Sequence, residues 1–242
     1  MCGRVIQALD SSEIDALVAD TAADGEDQGD RGERVRAALG NNEPNWNAGP
    51  GQHLIVVHIE DDEGTTIHRS IWGFIPRWET DPAGGRKPIN AKIETIRDNL
   101  QLGRGLWRDA ARMRRAIFPA NSFYEWDRSR KPSVPYSIRK ADGSTMALAA
   151  LWDKRRDRAT GLELRSFAVI TCPANSLIAT IHDRMPVILD PENYRLWLSG
   201  PVEAALSLCV PYPAEHLTMH RVGQRVGNVR NNDPGMADPI GP

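Results

Sequence analysis

Five short β-rich runs crowd the second half of the chain, at 116–118, 122–126, 136–139, 146–152 and 166–171, linked by turn formers such as Ala141-Asp142-Gly143. Runs of that length, so closely spaced, predict an antiparallel sheet that curves on itself. Two more, at 54–59 and 66–72, flank Glu60-Asp61-Asp62-Glu63-Gly64, which reads as a hairpin with a charged turn. Helices have little room between these runs. One is expected from a cap at Ser11 or Ser12 through Val18, with Glu13 and Asp15 favourably placed in its first turn. A second segment begins near Ile93, and Gly103 and Gly105 divide it into two short helices. A last helix is expected at 191–198, with Asp190 as its cap and Pro191 at its first position.

The expected architecture is α+β: one domain over residues 1–230, built on a curved, mostly antiparallel, barrel-like β-sheet flanked by short helices. Residues 20–42 read as an acidic insertion with a helical turn at 35–39, and residues 231–242 as a flexible tail. No run of about 18 apolar residues is present to span a membrane, and the N-terminus lacks the basic and then apolar sections of a secretory signal, so the expectation is cytoplasmic. Cys2, Cys172 and Cys209 are odd in number and scattered, which suits reduced thiols better than a disulfide framework or a zinc site. The net charge of −2 conceals an uneven distribution: residues 20–33 carry −5 and residues 60–63 carry −4, leaving +7 for the rest. That balance permits a basic groove for nucleic acid.

The chemistry starts at Met1-Cys2-Gly3-Arg4. Removal of Met1, common before a small second residue, would expose a cysteine carrying both a free α-amine and a thiol. Such a pair condenses with an aldehyde, first to an imine and then to a five-membered thiazolidine. The two groups titrate at about 7.7–8.0 and about 8.5, so both reach nucleophilic forms near neutral pH. Glu125, between aromatics in Phe123-Tyr124-Glu125-Trp126, is a candidate proton donor and acceptor, and His182, in Ile181-His182-Asp183-Arg184-Met185-Pro186, a candidate proton shuttle. Asn90 is suited to orient a substrate oxygen or hold the N-terminal amine, with Lys92 adding charge nearby. Trp46 with Asn47, and the loop from Trp72 to Trp78, offer flat surfaces on which unpaired bases can stack. Each feature alone has an ordinary structural explanation. Together they assemble an aldehyde-reactive nucleophile, an acid, a base and a phosphate-binding surface.

Those residues sit in ordered stretches: Met1-Cys2-Gly3-Arg4, Trp46-Asn47 with Pro50, Trp72-Gly73-Phe74 through Trp78, Ile89-Asn90-Ala91 with Glu94-Thr95, Phe118-Pro119-Ala120 with Phe123-Tyr124-Glu125-Trp126, Thr171 with Ala174-Asn175, Ile181 to Pro186, and Val226-Gly227-Asn228-Val229. In these the chain resembles the SOS-response-associated peptidase family, the SRAP-domain proteins that crosslink to abasic sites in DNA. The resemblance implies catalytic roles for Cys2, Asn90, Glu125 and His182. It implies that Arg4 and Arg184 hold phosphates and that Asn47, Trp72, Trp78, Lys92, Trp126 and Thr171 complete a DNA-binding surface. The implied partner is single-stranded DNA with an abasic site, bound covalently by a monomer that needs no metal or organic cofactor and works in the cytoplasm, at the nucleoid when DNA is damaged. Lyase activity through the imine, and peptidase activity removing residues before Cys2, are implied as well.

Two positions depart from the family pattern. Lys92 replaces the usual arginine, exchanging a bidentate fork for a point charge, and Asn121-Ser122 replaces the usual Asp-Gly before the aromatic and glutamate motif. Two other readings use the same residues. A cysteine peptidase or amidohydrolase would take Cys2 as nucleophile, His182 as base and Glu125 as orienting group, and a noncovalent single-strand binding domain would leave Cys2 incidental.

Overall fold

The computed structural model describes residues 2–21, 43–60, 64–80, 87–156 and 161–241, with isolated positions 32, 33, 35, 37, 40 and 85. Most of the expected acidic insertion, and of the helical turn within it, lies outside the described residues, although Val35 is buried in the core.

The chain opens with β1 (Val5–Gln7) and α1 (Ser11–Thr21), followed by β2 (Asn45–Ala48). The cap of α1 is Asp10 and not Ser11 or Ser12. The Asp10 carboxylate accepts the Ser12 and Glu13 N–H groups at 2.8 and 3.0 Å, and the Glu13 carboxylate accepts the Asp10 N–H at 2.9 Å. This reciprocal box satisfies donors the helix leaves unpaired, and α1 runs to Thr21 instead of stopping at Val18. Asp10→Ala is expected to lower the denaturant midpoint at unchanged slope.

The charged hairpin forms as anticipated from β3 (His53–Glu60) and β4 (Gly64–Trp72), which pair in register along their lengths. β3 also pairs with β6 (Arg115–Ala120), β6 with β9 (Met146–Arg156), β9 with β10 (Glu163–Pro173), and β10 returns to β4. These five strands close a barrel. A ring with an odd number of strands cannot be antiparallel at every joint, and here the β10–β4 joint is parallel at Ser166↔Ile71 and Phe167↔Trp72. The barrel is therefore mixed, while most pairings remain antiparallel. Inside, Trp72, Phe118 and Phe167 come from three barrel strands, have no exposed surface, and meet with ring centroids 4.8–6.2 Å apart.

A second, antiparallel sheet lies beside the barrel. It contains β7 (Ser122–Asp127), β8 (Val134–Lys140) and β13 (Leu217–Arg221), with β7 pairing β1 and β1 pairing β2. Asn121 forms the corner between barrel and sheet: its side-chain oxygen accepts the Ala8 N–H at 2.8 Å and its amide reaches Glu13 at 3.3 Å. Neither Asn121 nor Ser122 has positive φ, so the absence of glycine at this corner brings no strain. Three short strands decorate the barrel: β5 (Asn90–Lys92) and β11 (Arg184–Pro186) on opposite edges of β10, and β12 (Ile188–Leu189) on β9.

The segment after β5 divides as expected, into α2 (Ile93–Gln101) and α3 (Arg108–Met113). Gly105, at φ 113°, is obligatory in the link, because a Cβ there would lie 2.4 Å from the Asn99 side chain. The final helix differs from expectation. Pro191–Asn193 forms a 3₁₀ turn, α4 covers Tyr194–Ser199, and a further helix, α5 (Val202–Ser207), follows the break at Gly200. Asp190 does not cap; its carboxylate accepts the Tyr212 hydroxyl at 2.7 Å and pairs with Lys140 at 3.5 Å. The expected flexible tail is packed. Pro234–Ala237 forms a 3₁₀ turn that buries Met236 against Ile6, Tyr124, Val222 and Val226, and the Ile240 N–H donates to Arg221. No helix among the described residues is long and apolar enough to cross a membrane.

Candidate active site

Strand pairing delivers Cys2 to its neighbours. β1 and β7 match Val5 to Phe123, and the Tyr124 N–H donates to the Arg4 carbonyl at 2.8 Å, so the register continued one step sets Gly3 opposite Glu125. Cys2 lies just beyond, with no exposed surface. Glu125 is itself 1 % exposed, and one of its oxygens accepts the Trp126 N–H at 3.1 Å. Burial, and then the negative charge of Glu125, push the Cys2 thiol up to about 12, so it stays protonated near neutral pH.

From the other side, the amide of Asn90 donates to the Cys2 carbonyl at 2.8 Å. This strand residue is placed by the barrel: β5 aligns Asn90 with Val169, and the Trp72 indole N–H donates to the Ile89 carbonyl at 3.0 Å. The side-chain oxygen of Asn90 is buried and accepts no hydrogen bond. An acceptor of that kind beside the Cys2 backbone can take a proton-bearing nitrogen or a substrate hydroxyl.

His182 precedes β11, which flanks the same end of β10 from the opposite edge. Its Nδ1 lies 3.0 Å from the Arg184 N–H and 3.0 Å from an exposed Asp183 carboxylate oxygen. The Arg184 N–H can only donate and the Asp183 carboxylate can only accept, so these two neighbours ask opposite roles of Nδ1. Cys2 and Asn90 are thus joined by a direct hydrogen bond and Glu125 by strand register and charge, while His182 stands before the strand on the opposite edge of β10 from Asn90.

The expected DNA contacts divide into two groups. Trp78, at 53 % exposure, and Lys92 face solvent, and Trp126 is half-buried. Trp72 does not belong with them: it is wholly enclosed by the barrel and presents no face to a base. Asn47 is likewise buried, with its oxygen accepting from Arg4 at 2.9 Å and its amide donating to the Asn228 and Asn231 carbonyls. Arg4 also donates to the Val226 carbonyl at 2.7 Å, tying the N-terminal stretch to the end of the chain. Thr171 is buried, and its hydroxyl makes no hydrogen bond. Arg184 is clamped: it donates to both oxygens of Glu94 at 2.8 and 2.9 Å and to the Thr171 carbonyl at 2.7 Å. Those bonds hold the Glu94 carboxyl below its usual range.

Glu94 stands in one of the family-matching stretches, but sequence reading gave it no role. Ninety positions separate it from Arg184, and its only local signal, an acid in the first turn of α2, has a routine helix-dipole explanation. Among the described residues, no three His, Cys, Asp or Glu side chains gather as a metal-ligand set.

All three cysteines are buried and free, and burial raises Cys172 to about 11 and Cys209 to about 12. The sign of the resulting pH dependence is fixed. An unfolded chain releases thiol protons above about pH 9 that the fold retains, so this contribution is complete below that pH and declines as pH rises toward the folded values. Denaturant titrations at pH 8 and 10 should show a loss of about 1 kcal/mol per thiol.

Comparison with known proteins places the chain. The sequence model of the family described as SOS response associated peptidase (SRAP) matches residues 1–229. The chain is 33% identical over 199 residues to the abasic site processing protein YoqW of Bacillus subtilis, covering 81% of this chain and 86% of that one. It is 30% identical over 248 residues to the abasic site processing protein YedK of Escherichia coli, covering 99% and 100%. A crystal structure of a protein from Bacteroides thetaiotaomicron shares the fold with a TM-score of 0.81 at 21% identity, over 99% of this chain and 100% of that one.

Proposed function

Because the chain belongs to the SOS response associated peptidase family, we propose that it captures abasic sites in single-stranded DNA by a covalent bond to Cys2 once Met1 has been removed. The observation that carries this reading is the grip on Cys2, whose carbonyl is held by Asn90 at 2.8 Å while its thiol feels the charge of the buried Glu125. A neutral thiol favours a sequence in which the amine attacks first.

The α-amine adds to the aldehyde of the ring-opened sugar and gives a carbinolamine. Glu125, having taken a proton from the α-ammonium as the free amine formed, gives it to the departing hydroxyl; water leaves and an iminium forms. The thiol sulfur then attacks the iminium carbon as its proton passes to Glu125, the C–N π electrons return to nitrogen, and a thiazolidine closes. One water is released overall, and Glu125 hands the thiol proton to the ring nitrogen and ends as the carboxylate it began as. Asn90 holds the cysteine backbone and offers its unpaired oxygen to the amine or to a sugar hydroxyl. His182, beside the Asp183 carboxylate, assists ring opening and proton transfer. Trp78, Lys92 and Trp126 supply the accessible DNA surface, while Arg4, Asn47, Thr171 and Arg184 shape the floor beneath it.

Strand cleavage through the iminium, and self-removal of the residue before Cys2, belong to the same proposal, as do a monomeric state and action in the cytoplasm. Offering abasic single-stranded DNA to protein with a free Cys2 amine, and to protein with that amine acetylated, tests the chemistry. Only the free amine should yield an adduct. Adduct formation by the acetylated protein would overturn an amine-first mechanism.

A further inference from the structure

Toward the other end of the barrel from Cys2, the surface holds an open cleft of about 590 Å³. Its wall includes Arg77, Arg112, Arg114, Arg115 and Lys154, and one carboxylate, Glu60. Lys154 pairs with Arg165 on β10, whereas Asn90 on β5 pairs with Val169, which sets the two regions roughly 13 Å apart along the strand.

Among the described residues, the positive charges of this wall outnumber the carboxylates beside them, Glu60, Asp153 and Asp109, the last of which is bound to Arg108. Glu60 is shared between Lys154 and Arg165. Asp153, fully buried behind the wall, is shared between Arg77 at 3.4 Å and Arg114 at 3.1 Å. Arg115 spends its guanidinium on the carbonyls of Trp197, Gly200, Ala111 and Arg112, and forms no ion pair among the described residues. Arg112 is exposed. Burial lowers the pKa of Arg114 and Arg115, and the charge of Arg77 lowers Arg114 further.

A second observation, independent of charge, comes from Trp152. This residue is 2 % exposed and lies on the cleft wall, yet its buried indole N–H has no acceptor. A buried donor without an acceptor is costly, and native folds rarely leave one unless something else satisfies it. Surplus guanidinium charge together with an orphaned N–H calls for a ligand that is both anionic and rich in acceptor oxygens.

We propose that this cleft is a binding site for phosphate groups, held by Arg112, Arg114 and Lys154, with the Trp152 indole donating to a phosphate oxygen. The site does not depend on the chemistry assigned to Cys2. The phosphate can belong to a free phosphorylated compound or to the backbone of a nucleic acid strand.

The test titrates inorganic phosphate and pyrophosphate into the full chain by calorimetry, with chloride holding ionic strength constant. Saturable one-to-one binding is expected. Arg112→Gln and Trp152→Phe should each weaken it about tenfold or more, and the exposed Arg112→Gln should leave the melting temperature unchanged. An undamaged single-stranded oligonucleotide then separates the sources. Displacement of pyrophosphate supports the site with a nucleic acid backbone as its occupant, and lack of displacement supports it with a free phosphorylated compound. No saturable binding of either anion at millimolar concentration, or binding that both variants leave unaltered, would overturn the proposal.

Discussion

Glu125→Gln is expected to keep the fold and slow adduct formation by about a hundredfold or more, the loss that removal of a general acid and base produces. Glutamine preserves the volume at this 1 % exposed position and can still accept the Trp126 N–H through its amide oxygen, so the sheet pairing between β1 and β7 has no reason to change. It cannot give a proton to the departing hydroxyl or take one from the thiol. Circular dichroism and melting temperature check the fold, and a single-turnover rate with abasic DNA checks the chemistry. A wild-type rate would remove Glu125 from the mechanism and leave its burial beside Cys2 without a catalytic purpose.

Trp72→Ala should have the largest effect on stability, about 3–5 kcal/mol, because it empties the barrel where Trp72 meets Phe118 and Phe167. The same change removes the indole donor to Ile89, which sits next to Asn90, so residual folded protein should also crosslink slowly. Trp78→Ala provides the contrast. At 53 % exposure its loss should leave the denaturant midpoint nearly unchanged and weaken single-strand binding by about 1–3 kcal/mol. If Trp72→Ala were as stable as wild type, the packing described for the barrel would be wrong.

That pair of tryptophans shows where sequence reasoning succeeded and where it stopped. Strand periodicity and turn residues located β6 to β10 closely, since each strand announces itself within a few residues. Closure of the ring was not visible, because the parallel joint between β10 and β4 links residues nearly a hundred positions apart. Composition placed Trp72 and Trp78 in one loop as equal candidates; only the end of β4 decides that the first turns inward and the second out. Cys2, Asn90 and Glu125 could be named because each is chemically out of place in its local sequence, and the fold does bring them together. The clamp of Arg184 by Glu94 and the anchoring of Arg4 on Asn47 and Val226 are invisible locally. The packed tail follows the same pattern: its polar composition suggests fraying, whereas Met236 finds a pocket formed by Ile6, Tyr124 and Val226.

The most direct measurement is intact mass after denaturation. Protein with Met1 removed and the free N-terminal cysteine verified is incubated with single-stranded DNA containing one abasic site, alongside Cys2→Ala protein and undamaged DNA. The account predicts a heat-stable species weighing the sum of protein and DNA less one water, present only when both Cys2 and the lesion are present. Absence of that species from verified protein, or its persistence in Cys2→Ala, would contradict the covalent role assigned to Cys2.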